Sequence, residues 1–255
     1  MISIAFLSQS RAMKPLLVLL CLAGCPATVL ADDKSGDGWI DLLAGTPSET
    51  WKDVDKGWIV TDAVVLDKNN PKRLTAKAVT GGTVWVNGPT GRVKNLVTKR
   101  SFGDCEVHCE FLIGKGSNSG IKFNAVYEIQ IFDSFGKEKI TGKDGGGIYP
   151  RAKNNPYTYL DEGLGAKVNA SKPAGEWQSY DATFRAAKVN DKGEKTSDAI
   201  IVKAEWNGKL IHENVELKHP TGSNWVLKET ATGPFMLQAD HGPVAFRNVK
   251  IRPIK

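Results

Sequence analysis

Apolar and polar residues alternate in residues 104–111, Asp104-Cys105-Glu106-Val107-His108-Cys109-Glu110-Phe111. Successive side chains of a β-strand point to opposite faces, so the odd-numbered residues share one face and the acidic residues and the histidine share the other. The apolar face belongs in a core, and the polar face can meet water. The pattern therefore predicts a strand in a sheet that is buried on one side.

Short runs of the same kind recur along the chain, separated by clusters of Gly, Pro, Asn and Asp. Asn207-Gly208 is typical of a two-residue hairpin turn, and the chain has no extended 3.6-residue apolar period of a helix. The chain is therefore predicted to be all-β with long loops and little helix, and its antiparallel strands to form a sandwich or a barrel. Strands are predicted at residues 58–60, 64–66, 96–98, 105–112, 120–124, 127–132, 177–186, 200–206, 209–213, 235–238 and 244–253.

The first 31 residues have the features of an export signal. Two basic residues precede an apolar run at 16–23, and small residues lead to Ala31, where a signal peptidase would cut. The apolar run is shorter than the ~20 residues of a membrane-spanning helix. We expect a single domain at 32–255 that is periplasmic or secreted. The alternative is a lipoprotein attached to a membrane through Cys25.

The charges and the missing motifs argue against several classes of function. The formal net charge is +6, but the basic residues are scattered rather than arranged in a stripe, so no nucleic-acid partner is expected. The sequence has no GxSxG, HExxH or GxxxxGK[ST] motif, which argues against serine-hydrolase and zinc-protease chemistry and against a nucleotide cofactor. It indicates no oligomeric state.

Two cysteines, Cys105 and Cys109, remain after the predicted cleavage. On one strand their Cα atoms would lie ~13 Å apart. A disulfide requires a separation of roughly 4.4–6.8 Å. We therefore expect two free thiols, buried as small apolar groups.

The polar faces of three predicted strands carry the candidate functional groups. A solvated outer face would explain them as well, but glutamates, a glutamine and a histidine close together in sequence favour a site. Glu106 and Glu110 are too far apart for a direct pair, so Glu128 with either of them is the better acid–base pair. His108 could carry a proton or bind a metal, and Lys122 would neutralise neighbouring carboxylates.

Two further segments have features of a site. His241 precedes Gly242 in Gln238-Ala239-Asp240-His241-Gly242, so its ring can be exposed, although an Asp-His pair that caps a turn would look the same. Residues 142–173 are long and poor in strand signal, and such loops are often functional.

An ordered set of motifs resembles the 3-keto-disaccharide hydrolase domain family of the concanavalin-like lectin/glucanase superfamily. The motifs are Gly38-Trp39-Ile40-Asp41-Leu42-Leu43, Phe102-Gly103-Asp104-Cys105-Glu106-Val107, Asn118-Ser119-Gly120-Ile121, Tyr127-Glu128-Ile129-Gln130-Ile131-Phe132-Asp133, Gly147-Ile148-Tyr149, Gly175-Glu176-Trp177, Trp206-Asn207-Gly208, His241-Gly242 and Phe246-Arg247-Asn248-Val249-Lys250-Ile251-Arg252-Pro253. They cover nearly all of residues 32–255. Members often carry Arg where this chain has Lys122 or Asn124, and the loop before Gly175 is individual. The resemblance implies a jelly-roll β-sandwich.

The resemblance also implies cleavage of a glycoside whose glucose is oxidised at C3, by hydrolysis or by elimination. The C3 ketone acidifies the C2 proton, so a base can form an enolate that expels the C1 group. On that reading the base is Glu128 or His108, and Lys122 or a bound divalent cation stabilises the enolate. The remaining roles fall to proton-transfer or metal-binding groups (Glu106, Glu110 and His241) and to groups that bind the substrate (Gln130, Asn118, Tyr149 and Gln238).

Two other functions fit the same pattern. Glucanases of this fold use a Glu-x-Asp motif, but Glu128-Ile129-Gln130 has an amide at the position of the Asp, which argues against an ordinary retaining hydrolase. A lectin-like module that binds carbohydrate without catalysis would need aromatic and amide groups on the concave face, but no reactive carboxylate.

Overall fold

The computed structural model describes residues 37–254, and the predicted export signal and Cys25 lie outside them. The described residues form the following elements: β1 (Ile40–Asp41), α1 (Pro47–Thr50), β2 (Trp51–Lys52), β3 (Ile59–Thr61), β4 (Val64–Leu66), β5 (Leu74–Ala76), β6 (Val84–Val86), β7 (Leu96–Phe102), β8 (Cys105–Ile113), β9 (Asn118–Phe123), β10 (Tyr127–Phe132), β11 (Ala152–Asn154), β12 (Tyr157–Tyr159), β13 (Gln178–Arg185), β14 (Lys188–Val189), β15 (Lys195–Ser197), β16 (Ala199–Trp206), β17 (Lys209–Leu217), a 3₁₀ turn (Ser223–Val226), β18 (Gly233–Leu237) and β19 (Val244–Pro253). Within this part of the chain, no helix has the length and apolar character needed to cross a bilayer.

Two antiparallel sheets make up the body of the protein. The eight-stranded sheet has the order β17-β16-β13-β8-β19-β6-β3, with β1 also paired to β19. The five-stranded sheet has the order β10-β9-β18-β7-β2, and three two-stranded ribbons, β4–β5, β11–β12 and β14–β15, complete the strands. The predicted all-β jelly-roll sandwich is confirmed.

The core lies between the apolar faces of the two sheets. The odd-numbered residues of β8 enter the core from the eight-stranded sheet, and those of β9 and β10 enter it from the five-stranded sheet. Phe123 of β9 stacks on Phe184 of β13, with 4.6 Å between ring centroids, so the two sheets meet directly. The polar faces of β8 and β10 consequently point in opposite directions, away from the core.

The two cysteines are free and buried, as expected. Burial raises the pKa of Cys105 to about 12, with the nearby Asp104 and Glu106 adding to the increase. Burial also raises the pKa of Cys109. Because the thiolate is the reactive form, both side chains serve as packing groups in the folded protein.

The long loop at 142–173 extends the five-stranded sheet. Ile148 bridges Ile129 of β10, and Leu164 bridges Ile148 in turn. The loop also carries the β11–β12 ribbon, which the sequence did not predict. The loop therefore forms a wall beside β10 and does not extend freely into solvent.

Candidate functional site

A groove lies on the face of the five-stranded sheet that points away from the core. Its volume is about 440 Å³, which lies within the range for ligand pockets. The even-numbered residues of β9 and β10 form its floor because the odd-numbered ones are in the core. Most residues singled out by the sequence line this groove: Asn118, Lys122, Glu128, Gln130, Tyr149, Gln238 and His241.

A buried ion pair occupies the floor of the groove. Lys122 and Glu128 are directly opposite each other on β9 and β10, and Lys122 Nζ lies 2.9 Å from Glu128 Oε2. Their side chains are 11% and 3% exposed. Burying either charge alone would be costly, and pairing offsets that cost. The pair places a carboxylate and an ammonium next to each other at the bottom of an open groove.

The residue beside this pair is a glycine for a steric reason. A Cβ on Gly120 would collide with Glu128 Oε1 and come 3.1 Å from the Glu128 Cγ and Cδ atoms. The Glu128 side chain therefore lies over the backbone of β9 in space that any larger residue would fill.

An aspartate–histidine pair stands at one end of the groove. Asp240 Oδ1 lies 2.6 Å from His241 Nδ1. That hydrogen bond raises the pKa of His241; partial burial opposes the increase, and the charges of Asp240 and Glu128 add to it while Arg92 reduces it. Burial disfavours ionised Asp240, but the hydrogen bond and the charges of His241 and Lys122 lower the pKa of Asp240 overall. Asp240, His241, Lys122 and Glu128 thus form one electrostatic cluster.

Two amide oxygens in the groove are buried and lack a hydrogen-bond partner within the described part of the chain. They are Gln130 Oε1 and Gln238 Oε1. Gln130 Nε2 donates to the carbonyl of Lys143 at 3.3 Å, which orients the amide. A buried unpaired acceptor costs about 1–3 kcal/mol, and a ligand hydroxyl could recover that cost if the amide turned its oxygen towards the groove.

Aromatic residues from the long loop form the opposite end of the groove. The Tyr149 backbone N–H donates to the Glu128 carbonyl at 3.3 Å, so this tyrosine flanks β10. Tyr157 of β12 lines the groove with it. The groove therefore has a polar end at His241, a charged floor and an aromatic end.

The expectation that Glu106, His108 and Glu110 share a hollow with Glu128 is wrong. These three residues lie on the outward face of the eight-stranded sheet, because β8 and β10 belong to opposing sheets whose apolar faces meet. Their partners are also on that sheet. Glu106 accepts a hydrogen bond from Arg252 at 2.6 Å, Glu110 accepts one from Arg247 at 2.7 Å, and His108 Nδ1 lies 2.6 Å from Asp181 Oδ1.

The same separation rules out the predicted metal-binding set. Glu106 and Glu110 lie on one sheet, and His241 lies in the groove on the other, so the three cannot coordinate one ion. Across residues 37–254, no group of three or more His, Cys, Asp and Glu side chains could hold a metal ion. The described residues therefore offer no site with three such ligands for the predicted cation.

Sequence reasoning missed several residues that line the groove. Asp240 lies within the segment that drew attention to His241, and Tyr157 lies within the loop at 142–173, so both had an indirect signal. Others come from loops or from a strand end without a recognisable pattern: Asn95, Asn154, Ser223 and Asn224.

Comparisons with known proteins agree with this architecture. Residues 26–252 match the sequence profile of the family described as the 3-keto-alpha-glucoside-1,2-lyase-like domain. A candidate glycosyl hydrolase from Parabacteroides distasonis ATCC 8503 superposes with a TM-score of 0.57 and 22% identity, over 86% of this chain and 84% of that one. A second from the same organism gives a TM-score of 0.53 and 19% identity, over 85% and 99%. At these identities the structural similarity shows the fold, and no curated protein sequence matches the chain.

Proposed function

Because the chain belongs to the family of 3-keto-α-glucoside-1,2-lyase-like domains, which is carbohydrate-active, we propose that it cleaves glycosides whose glucose unit carries a ketone at C3. The observation that carries the proposal is the buried pair of Lys122 and Glu128 on the floor of the groove. It places a carboxylate, which can act as a base, next to an ammonium group, which can stabilise the negative charge that develops on the ketone oxygen.

Glu128 is the proposed base. Its carboxylate takes the proton from C2, and the electron pair of the C2–H bond moves into an enolate with its charge on O3. The enolate then forms a double bond between C1 and C2 and expels the group on C1. The leaving oxygen takes up a proton from water, which balances the proton lost from C2. Addition of water across the double bond would make the overall reaction a hydrolysis.

Lys122 is the proposed stabiliser of the enolate. An ammonium group has three N–H donors, and the ion pair with Glu128 uses one of them. A second donor can reach the oxygen on which charge develops. A fixed cation in a site with little water stabilises such a charge more strongly than bulk solvent does. The role proposed for Lys122 needs no bound metal.

His241 is the proposed proton carrier between Glu128 and water. Its ring feels the charge of Glu128, and its side chain is half exposed at the mouth of the groove. Because its pKa is raised, the imidazolium form persists to higher pH than in a free histidine. After each turnover His241 can pass on the proton that Glu128 has taken, which restores the base.

The amide side chains of the groove suit the hydroxyl groups of a sugar. Gln130, Gln238 and Asn118 line the groove, and a rotation of either glutamine amide would turn its unpaired oxygen towards a substrate hydroxyl. A site with such buried groups rejects analogues that lack the matching hydroxyl.

The proposal includes export. The signal predicted at residues 1–31 would place the enzyme in the periplasm or outside the cell, and lipidation at Cys25 would instead attach it to a membrane. Either location would let it meet glycosides before they enter the cytoplasm.

The test is release of the leaving group from methyl and aryl 3-keto-glucosides by the purified protein, with and without a chelator. Glu128→Gln should lower kcat by about 10³-fold, because the amide cannot accept the C2 proton. Calorimetry should show that this variant still binds the sugar. NMR of the product separates elimination from hydrolysis.

Three outcomes would change the interpretation. If the wild-type protein and Glu128→Gln both bind the sugar and neither releases the leaving group, the protein is a lectin-like binding module. If Glu128→Gln is as active as the wild type, another group is the base. Loss of activity with the chelator would mean that a cation takes the role proposed for Lys122.

A further inference from the structure

Three tyrosines form a cluster at the aromatic end of the groove. The Tyr149 hydroxyl lies 3.2 Å from that of Tyr157 and 2.9 Å from that of Tyr159. Tyr159 meets Tyr157 edge to face with 5.5 Å between ring centroids, and Tyr149 with 6.0 Å. Edge-to-face contacts are a preferred geometry of aromatic pairs, and the hydroxyl contacts add a second restraint. The rings are therefore held in fixed orientations.

The ribbon that carries Tyr157 and Tyr159 is anchored at its base. Arg151 Nε donates to Asp161 Oδ2 at 2.7 Å across the foot of the ribbon. The Ala152 carbonyl accepts from Trp225 Nε1 at 3.0 Å, and the Ala152 N–H donates to the Gly222 carbonyl at 3.0 Å. A surface fixed in this way loses little conformational entropy when a ligand binds.

Tyr157 presents a ring to the groove. The residue is 53% exposed and lines the same groove as Glu128. A face of the neighbouring Tyr159 ring is covered by Lys143, whose Nζ lies 4.3 Å from the ring centroid. A single exposed tyrosine is ordinary on a protein surface. This one differs because it is held rigidly and lines a groove with a buried ion pair on its floor.

The two ends of the groove match the two ends of the proposed substrate. The end with Gln238, Asp240 and His241 is polar and suits the free hydroxyls of a sugar. Tyr149 donates its backbone N–H to the Glu128 carbonyl, and its hydroxyl lies next to that of Tyr157. The aromatic end therefore begins next to the proposed base. A sugar with C2 at Glu128 and its free hydroxyls at the polar end directs its C1 substituent towards Tyr157.

We infer that the tyrosine cluster is a subsite for the leaving group, and that this group is a ring with a flat apolar face that stacks on Tyr157. The inference rests on the proposed function. A second sugar ring presents such a face through its C–H groups, and an aromatic aglycone presents one through its ring. A methyl group on C1 would leave the subsite empty.

The experiment compares Tyr157→Ala with the wild type on three substrates: methyl 3-keto-glucoside, phenyl 3-keto-glucoside and a 3-keto-disaccharide. The variant should lower kcat/KM about five- to tenfold for a substrate with a ring as leaving group, and by less than about twofold for the methyl glycoside. Tyr157→Phe keeps the ring face and should retain most of the activity. Phe135→Ala removes an aromatic residue that is exposed outside the groove and serves as the matched control.

The outcomes separate this inference from the proposed function. An equal loss on all three substrates, or no loss on any, would overturn the subsite and leave the proposed reaction intact. A loss on the phenyl or the disaccharide substrate alone identifies which ring the subsite takes. If the wild type cleaves nothing, calorimetric titration with the phenyl and methyl glycosides still tests the subsite. Tighter binding of the phenyl compound that disappears in Tyr157→Ala supports it, and equal affinities refute it.

Discussion

Lys122 and Glu128 are two buried charged residues that stabilise each other as an ion pair. Each side chain is the direct cross-strand partner of the other, and each is nearly inaccessible to water. Removing one charge would leave the other buried without a partner, which typically costs about 3–5 kcal/mol. The position of the carboxylate also depends on the absence of a side chain at Gly120, because a Cβ there would collide with Glu128 Oε1.

Replacing Gly120 with alanine should displace the Glu128 carboxylate. The added methyl group would lie too close to Glu128 Oε1 for the carboxylate to stay in place, while alanine itself is acceptable in a strand. Misplacement of a catalytic group by about 1 Å can cost about 10²-fold, so we expect a loss of that size in kcat/KM. The melting temperature should change by less than about 5 °C. Steady-state kinetics and thermal unfolding measure the two effects.

Gly103→Ala is the control for this substitution. Gly103 has ordinary backbone geometry and lies in the turn between β7 and β8, where an added Cβ would come 3.2 Å from the Ala231 carbonyl oxygen. The activity of Gly103→Ala should remain at the wild-type level. Wild-type activity in Gly120→Ala would show that the position of Glu128 over Gly120 does not matter for catalysis.

At the scale of elements, β8 carries a charged outer face that is separate from the groove. His108 lies between Asp181 of β13 and Glu110 of its own strand, and its register partner on β19 is Lys250. The hydrogen bond to Asp181 raises the pKa of His108; burial opposes the increase, and the charges of Asp181 and Glu110 support it. The acidic neighbours therefore favour the protonated ring in the folded state.

The stability contributed by His108 should depend on pH. Because the pKa is higher in the folded state, the contribution is fully present below the unfolded value of about 6.5 and is lost as pH rises through the folded value. The site is partly exposed, so the effect should be at most about 1 kcal/mol. Urea unfolding should show that His108→Gln lowers stability at pH 5.5 but hardly at pH 9.

His219→Gln provides the comparison for this measurement. His219 contacts the carbonyl of the adjacent Pro220 at 3.3 Å, and no acidic partner is found for it within residues 37–254. Its substitution should have the same small effect at both pH values. A His108→Gln deficit that is equal at pH 5.5 and 9 would mean that packing, rather than charge, explains the role of His108.

The predicted strands are all present, with bounds that shift by a few residues. Those that were missed are only two or three residues long, which leaves little alternation to recognise. β6 is buried throughout, so all three residues are apolar and no polar face appears. β11 and β12 form a short exposed ribbon in which propensity and burial give little signal. Both cases depend on what packs beside the strand, which a short window of sequence does not contain.

At the scale of the whole molecule, the sandwich keeps two polar faces apart. The groove lies outside the five-stranded sheet, and the charged surface around Glu106 and Glu110 lies outside the eight-stranded sheet. Stacked sheets are about 10 Å apart, and the core between them excludes water. The two faces should therefore act as independent surfaces.

Changing Glu106 and Glu110 together to glutamine should leave cleavage intact. Both side chains pair with arginines on the outer face and contact nothing in the groove. We expect kcat/KM to change by less than about twofold, since distant sites with no shared partners act independently. Partly exposed ion pairs contribute little, so the loss of stability should be about 1 kcal/mol or less for each. A large loss of activity in the folded double variant would show that the faces are coupled.

The sequence by itself determined which side chains face the core and which do not. Alternation in β8, β9 and β10 was enough to predict the free buried thiols and to single out Lys122, Glu128 and Gln130. Only the tertiary structure decided which polar faces come together. Alternation has a period of two residues and distinguishes inside from outside, but it does not show to which sheet a strand belongs. Sheet membership depends on pairing between distant segments, so His108 and Glu128 looked alike in sequence and lie on opposite sides of the protein.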